Sequence, residues 1–276
     1  MTSQPPSLQK ASPKSLSYAS ALHPRPMRDL FPPLTPYSQG FLSVDDTHTI
    51  YWEQSGNPDG VPVIVLHGGP GAGATSVHRR FFDPNFYRII IFDQRGAGRS
   101  HPLGSLTNNT LGDILDDTEK LRIHLKIDRW HLFGGSWGST LALSYAQKHP
   151  ERCISLCLRS IFLMEQYEID WFMTGMSTIF PEAWENFIDG RDQSNLLKSY
   201  YEDLIGHDDR AAIEAALRWN AYESTCASFY PQKETLVSDD QRFYALAMAK
   251  IEAHYFYTQV IGPEDSLFKN IRKIRS

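Results

Sequence analysis

The 276-residue sequence predicts an α/β protein, with a doubly wound, mostly parallel β-sheet into which an all-helical cap is inserted. Short continuous apolar runs, typical of strands buried on both faces, recur up to residue 158 and are separated by helical segments. Strands that alternate with helices predict a parallel sheet covered by helices. The apolar runs span residues 61–66, 88–92, 130–133 and 154–158.

Two further elements complete the predicted core. Residues 40–44 and 47–54 alternate apolar and polar side chains around a turn, which predicts an antiparallel hairpin ahead of the first run. Residues 109–125 carry an apolar stripe at helical spacing, with Asn108 or Asn109 as the N-cap.

After residue 162 the pattern changes, because helical segments follow one another without a convincing strand. They span residues 171–176, 181–188, 196–205, 209–223 and 239–256. A helical block inserted after a strand is typical of a lid over a site. The predicted organisation is a tail over residues 1–36, a core over 37–162, a cap over 163–262 and the start of a return to the core over 263–276.

The tail differs in composition from the rest of the chain. It holds eight of the 17 prolines and a single acidic residue, Asp29. A disordered Pro/Ser-rich tail is the simplest interpretation, and an organellar transit peptide is the alternative. The tail lacks the apolar stretch of a secretory signal, so we expect a cytoplasmic protein unless the tail directs it to an organelle.

The overall composition argues against several classes of partner. A net charge of −5 disfavours nucleic acid and is compatible with cationic substrates. No apolar stretch approaches the length of a membrane span. The three cysteines, Cys153, Cys157 and Cys226, lack metal-ligand spacing, so reduced thiols are expected and neither a metal nor another cofactor. The oligomeric state cannot be read from the sequence.

Ser136 is the candidate nucleophile. It lies in Gly-Gly-Ser-Trp-Gly at 134–138, between the apolar run 130–133 and the helical stretch 139–148. A strand, Gly-x-Ser-x-Gly and a helix form a nucleophile elbow, in which a strained turn pushes the hydroxyl out of the sheet. The alternative is a plain Gly/Ser loop. The elbow predicts acyl-transfer chemistry.

The oxyanion formed on attack needs N–H donors. The amide of Trp137, directly after the nucleophile, is one expected donor. The second is expected from the glycine-rich loop 67–71, at Gly69, because this loop follows the strand predicted at 61–66. Arg95, after the strand at 88–92, is interpreted as a structural arginine rather than a phosphate ligand.

Four motifs occur in order along the chain, namely HGGPG at 67–71, DQRGAGRS at 93–100, GGSWG at 134–138 and LRSIF at 158–162. Together they resemble the proline iminopeptidases (prolyl aminopeptidases), which are α/β-hydrolases that remove an N-terminal proline. The resemblance covers about residues 31–275. It implies an α/β-hydrolase fold, peptides with N-terminal proline as substrates and no cofactor.

The helical segments extend the resemblance. The sequence WNAYE at 219–223 is similar to the family's W-x-x-W-E, and KIEAHYF at 250–256 is similar to R-I-E-N-H-Y-F. The resemblance implies that Glu223 and Glu252 bind the free amino terminus of the substrate. This agrees with the physical requirement for negative charge around an ammonium in a dehydrated pocket. His254 is expected to pack or join a polar network rather than act as the catalytic base.

The same resemblance implies an apolar slot for the proline ring. Phe162 and Phe172 would form it, although Phe172 stands where the family has tyrosine. Arg159 either orients one of the glutamates or has a structural role. Ser160 replaces a family glycine.

A Ser–Asp–His order is expected in this fold, with Asp and His after the cap. The sequence reaches Ser276 before either partner, so we expect a C-terminally truncated form. Ser136 alone should act slower by roughly four to six orders of magnitude. The strand at 154–158 should then be an unpaired sheet edge.

Two alternatives stay open, a non-catalytic protein that binds proline peptides and a general esterase. The esterase is disfavoured because it gives the paired glutamates no purpose.

Overall fold

Six strands form one mixed sheet in the part of the chain that the computed structural model describes, residues 29–228, 238–262 and 266–274. They are β1 (Ser38–Ser43), β2 (Thr49–Gly56), β3 (Val61–Leu66), β4 (Tyr87–Phe92), β5 (Trp130–Ser136) and β6 (Cys153–Ile161). Their order across the sheet is β1–β2–β4–β3–β5–β6. β1 and β2 run antiparallel to their neighbours, whereas β4, β3, β5 and β6 run parallel. The predicted hairpin and mostly parallel sheet are confirmed.

The apolar runs of β3 and β4 form the centre of the sheet. Val63, Ile64, Ile89 and Ile90 are at most 1% exposed, as expected for strands covered on both faces. β6 does not follow this prediction. Ile154 is 41% exposed, because within the described residues β6 pairs with β5 alone and forms the edge of the sheet. The interpretation of residues 154–158 as a strand buried on both faces is therefore wrong, whereas the expectation that this strand forms an unpaired edge agrees with the described sheet.

Two helices, α1 (Leu111–His124) and α2 (Trp137–Lys148), pack their apolar residues into the main core. The N-cap of α1 is Thr110 rather than the predicted Asn108 or Asn109. Thr110 Oγ1 accepts from Asp113 N at 3.2 Å, and the Asp113 carboxylate accepts from Thr110 N at 3.0 Å. This reciprocal capping box satisfies two amides at once, which favours Thr110 over its neighbours.

After β6, the described residues up to 258 form helices joined by loops and contain no strand. The helices are α3 (Gln166–Met173), α4 (Pro181–Ile188), α5 (Leu196–Ile205), α6 (Asp209–Cys226) and α7 (Asp239–Thr258). α3 begins five residues earlier than predicted, since Glu165 and Glu168 form a capping box at its start. Stacked rings hold this helical layer together. The Phe187 ring lies parallel to those of Tyr200 and Tyr222, with centroids 4.6 and 4.2 Å away.

Helix α7 is tied to the sheet side of the molecule. The Tyr255 hydroxyl donates to Asn109 Oδ1 at 2.6 Å, and its ring lies 5.0 Å from that of Trp137. Tyr255 is 1% exposed. These buried contacts fix α7 above the start of α2, where the candidate nucleophile lies.

Two predictions concern the ends of the sequence. The tail was predicted over residues 1–36, and its residues 1–28 lie outside the part of the chain that the structure describes. Residues 266–274 contain a single 3₁₀ turn, Ile271–Lys273. None of the described helices combines the length and the apolar composition needed to cross a bilayer.

Candidate active site

Ser136 occupies a strained turn between β5 and α2. Its φ of 55° and ψ of −127° lie in a region that residues with a side chain rarely adopt. β5 ends at Ser136 and α2 begins at the next residue. Such a turn projects the hydroxyl beyond the carboxyl edge of the sheet, as the sequence predicted for a nucleophile elbow.

The glycines on either side of the turn are required by close backbone contacts. A Cβ on Gly134 would lie 2.1 Å from the Gly138 carbonyl oxygen. A Cβ on Gly138 would lie 2.0 Å from the carbonyl oxygen of Leu66, the last residue of β3. Both positions therefore exclude every residue with a side chain.

The loop after β3 approaches this turn. Gly69 has φ +112°, and a Cβ there would lie 2.7 Å from Ala72 N, so only glycine fits. A Cβ on the preceding Gly68 would lie 3.5 Å from the Cβ of Ser136. Gly69 and Ser136 line the same cavity. The parallel pairing of β3 with β5 explains this meeting, because it brings their carboxyl ends to one edge.

Trp137 is the first residue of α2, so its N–H belongs to the first turn, whose amides have no partner inside the helix. The indole is buried and does not line the cavity. Its Nε1–H donates to Gln94 Oε1 at 2.9 Å. Gln94 Nε2 in turn donates to the His67 carbonyl at 2.9 Å. This glutamine joins the glycine-rich loop to the start of α2.

Sequence reasoning missed Gln94. The available signal was its position two residues after the end of β4, at the carboxyl edge that β4 shares with β3 and β5. A polar residue at such a position is a candidate for the site or its support. Its neighbour Arg95 is structural, as predicted. It makes a bidentate ion pair with Asp117 at 2.7 and 2.6 Å and also donates to the Asn108 carbonyl.

The histidines described near the site have other partners than Ser136. His67 Nε2 accepts from Gln94 N at 3.0 Å, which leaves the proton on Nδ1 for the Gly68 carbonyl. Burial lowers the pKa of His67, so its ring is neutral. His131 is linked to Ser155, and His254 to the Tyr201 hydroxyl at 3.0 Å. His254 thus forms a hydrogen bond between two helices of the helical layer, α7 and α5.

Two carboxyl groups also line the cavity. Glu223 comes from α6 and Glu252 from α7, and each carboxyl affects the pKa of the other. Glu252 is 4% exposed, and its Oε2 accepts from Trp219 Nε1 at 2.7 Å. Burial raises the pKa of Glu223 to about 7. Burial, and then the charge of Glu223, raise the pKa of Glu252 well above its usual value. The pair therefore retains a proton near neutral pH when no cation is bound.

These raised pKa values predict the direction of a pH effect on stability. The carboxyls ionise less readily in the folded protein than in the unfolded chain. The free energy of unfolding contributed by the pair should therefore fall as pH rises from about 4.5 through about 7. We expect a declining melting temperature over this window. A Glu223→Gln/Glu252→Gln variant should show a shallower decline, and identical profiles would contradict the assignment.

Aromatic rings form the apolar wall of the cavity, whose volume is about 900 Å³. The Phe256 ring lies 6.1 Å from that of Phe162 and 5.9 Å from that of Phe172. Phe172 also contacts Trp219 and Tyr222 at centroid distances of 5.6 and 5.3 Å. The apolar wall is thus continuous with the aromatic core of the helical layer. Phe256 was not singled out from the sequence, although it ends the motif at 250–256.

The cavity brings together most of the residues that the sequence singled out. Its lining includes Gly69, Ser136, Phe162, Phe172, Glu223 and Glu252. Arg159 is exposed and lies outside the lining of the cavity. Its side chain crosses Gly135, since a Cβ added to Gly135 would lie 2.8 Å from Arg159 Cγ. Among the described residues no ion pair joins Arg159 to either glutamate. Of the two roles left open for Arg159, orientation of a glutamate has no support in the described contacts.

Comparison with known proteins supports the resemblance to the proline iminopeptidases. The family model of the alpha/beta hydrolase fold matches residues 61–271. A proline iminopeptidase of Arabidopsis thaliana is 49% identical over 254 residues, covering 90% of this chain and 67% of the relative. One from Xylella fastidiosa is 46% identical over 253 residues, covering 90% and 81%. The solved structure of a putative epoxide hydrolase from Pseudomonas aeruginosa, 14% identical with a TM-score of 0.51, covers 89% of this chain and 76% of its own and shares the fold.

Proposed function

Because the chain belongs to the proline iminopeptidases, a family of α/β-hydrolases, we propose that it acts as a serine aminopeptidase on peptides with an N-terminal proline. One observation carries the proposal. A buried pair of carboxyls, Glu223 and Glu252, lines the same cavity as the hydroxyl-bearing residue Ser136. The pair provides negative charge for a free amino terminus, and Ser136 provides a nucleophile for the adjacent carbonyl.

Recognition of the amino terminus follows from the electrostatics of this pair. Two carboxyls that retain a proton because their pKa values are raised gain a better partner when a secondary ammonium enters. Binding should release that proton. A peptide whose terminus is blocked carries no positive charge and would leave the pair without compensation. Selectivity for a free terminus thus comes from Glu223 and Glu252.

The proline ring is proposed to pack against the aromatic wall. Phe162 and Phe172 offer flat apolar surface, and Phe172 differs from the family's tyrosine in lacking a hydroxyl. A saturated five-membered ring has no polar edge to satisfy. Burial of its apolar area against phenyl rings is therefore favourable without further hydrogen bonds.

The chemistry proposed at Ser136 is acyl transfer. Oγ bonds to the prolyl carbonyl carbon while its proton passes to a base, and the amides of Gly69 and Trp137 donate to the resulting oxyanion. The C–N bond then breaks and the amine leaves with a proton. Water hydrolyses the prolyl ester, which releases proline and restores the hydroxyl.

The helical layer is proposed to act as a cap on an α/β core. In this interpretation residues 37–162 supply the nucleophile and the oxyanion donors. Residues 163–262 supply both glutamates and Phe172. The division explains why neither part alone would recognise and cleave a substrate.

Binding without efficient turnover is a second candidate function. The observation that favours it is that no described histidine is hydrogen-bonded to Ser136. Without an imidazole to accept its proton, a serine is a weak nucleophile, so the described residues alone should react slowly. This candidate predicts that the 276-residue chain binds proline peptides and releases product slowly or not at all.

Calorimetry with the folded chain tests the recognition shared by both candidates. We expect proline amide to bind and N-acetylproline amide, which lacks the ammonium, to bind at least about a hundredfold more weakly. The binding enthalpy should vary with the ionisation enthalpy of the buffer, because the carboxyl pair releases its proton. Equal affinity for the two amides would overturn the proposal. Release of free proline in the same samples distinguishes the peptidase from the binding protein.

A further inference from the structure

The mouth of the cavity carries apolar side chains that the proposed reaction does not use. Ile161, Tyr167 and Trp171 line the cavity and are 58%, 66% and 52% exposed. We call these three residues the apolar rim. Large exposed apolar side chains grouped at a cavity mouth are typical of a binding surface rather than of ordinary protein surface.

The rim begins beside the candidate nucleophile. Ile161 is the register partner of Ser136 in the parallel pairing of β6 with β5. Tyr167 and Trp171 are four residues apart on α3, so they lie on one face of that helix. Phe172, which follows Trp171, lies in the apolar wall. A peptide whose first residue packs on this wall would therefore extend its next residues over the rim.

The Trp171 ring is held in place before any ligand binds. A Cβ on Gly175 would lie 2.3 Å from Cε3 and 2.8 Å from Cδ2 of the indole, so the ring rests on the glycine backbone. A side chain fixed in this way loses little conformational entropy when a ligand packs on it.

The charges around the cavity restrict what the rim accepts. Glu168, Glu223 and Glu252 line the cavity, and its described lining contains no lysine, arginine or histidine. Glu168 is held by the amides of Leu163 and Glu165 at 3.1 and 2.9 Å. An acidic side chain on the second residue would meet like charge without a compensating cation.

The volume of the cavity also exceeds the needs of one residue. At about 900 Å³ it is near the upper end of the range of about 300–1,000 Å³ for pockets that enclose drug-sized ligands. A proline ring occupies a small part of that space. The remainder, which the rim lines, is available to the residue on the other side of the scissile bond.

We propose that the apolar rim is a subsite for the second residue of the substrate peptide, and that it selects large apolar side chains over small or acidic ones. The inference rests on the proposed function, which supplies the site of the first residue. It assigns Trp171 and Tyr167 to specificity rather than to the acyl-transfer step, and Gly175 to the positioning of Trp171.

Calorimetry with the Ser136→Ala protein, which prevents turnover, tests the subsite. Three probes share the first residue, namely Pro-Phe-amide, Pro-Gly-amide and Pro-Glu-amide. Burial of a phenyl ring should make Pro-Phe-amide bind roughly tenfold or more tightly than Pro-Gly-amide, and Pro-Glu-amide should bind weakest. Trp171→Ala should reduce the Phe-over-Gly preference to within about threefold and leave Pro-Gly-amide unchanged.

Two further variants separate contact from misfolding. Gly175→Ala displaces the Trp171 ring without removing it and should lower the same preference. Phe86→Ala removes an exposed ring, 54% exposed, that does not line the cavity, and should leave the preference intact. If no probe binds, the proposed function fails. If the probes bind equally, or the preference survives both Trp171→Ala and Gly175→Ala in proteins with unchanged melting curves, the rim is not a subsite.

Discussion

Replacing Glu223 and Glu252 together by glutamine is expected to weaken binding of proline amide by at least about a hundredfold. The ammonium of the ligand would then enter a cavity that has lost its closest negative charges while keeping its shape. Glutamine preserves an oxygen acceptor for the Trp219 indole, which donates to Glu252 at 2.7 Å. Calorimetry at neutral pH measures the loss directly.

The single variants sharpen this prediction. Glu252→Gln should weaken binding of proline amide more than Glu223→Gln does, because Glu252 is more deeply buried and a cation near it has less access to water. Glu182→Gln is a matched control, since Glu182 is exposed at the start of α4 and does not line the cavity. Unchanged affinity in the double variant, with an unchanged melting curve, would show that the amino terminus binds elsewhere.

The second large effect is expected from Gly138→Ala. The added methyl would lie 2.0 Å from the Leu66 carbonyl oxygen, and backbone on both sides prevents it from moving aside. We expect a loss of about 3 kcal/mol or more in the free energy of unfolding, or failure to fold. Urea or thermal unfolding of the purified variant measures it.

Gly112→Ala is the control for that experiment. Gly112 lies in α1, and the nearest heavy atom to an added Cβ would be Thr110 Oγ1 at 3.7 Å. Alanine should fit there and stabilise the helix by about 0.5–1 kcal/mol. Similar effects of the two substitutions would mean that the close approach between the turn and β3 is not present in solution.

Most of the core could be predicted because its signals are local. The strand at Val61–Leu66 matches its apolar run, and the Gly-x-Ser-x-Gly segment forms the strained turn that its glycines allow. The order of strands and helices also fixed which loops meet at the carboxyl edge. For this reason Gly69 and Ser136 could be expected near each other, although they are 67 positions apart in the sequence.

The missed features depend on contacts between distant segments. The bond from the Trp137 indole to Gln94 joins the start of α2 to the loop after β4, and neither segment alone predicts it. The edge position of β6 was expected, but the exposure that follows from it contradicts the burial on both faces that the composition of β6 predicts. The resemblance to a family points to the two glutamates, whereas their raised pKa values follow only from their burial side by side.

The most direct test of the central claim is intact-mass and peptide-mass analysis after treatment of the chain with an activated ester of proline. Attack by Ser136 would displace the leaving group of the activated ester and leave a prolyl ester. The ester should accumulate, because no described histidine is hydrogen-bonded to Ser136 to assist deacylation. The account predicts one prolyl adduct on the peptide that contains Ser136. The adduct should be absent from Ser136→Ala protein and from samples treated with the N-acetylated ester. An adduct elsewhere, or equal labelling by the acetylated ester, would contradict a serine aminopeptidase that recognises a free N-terminal proline.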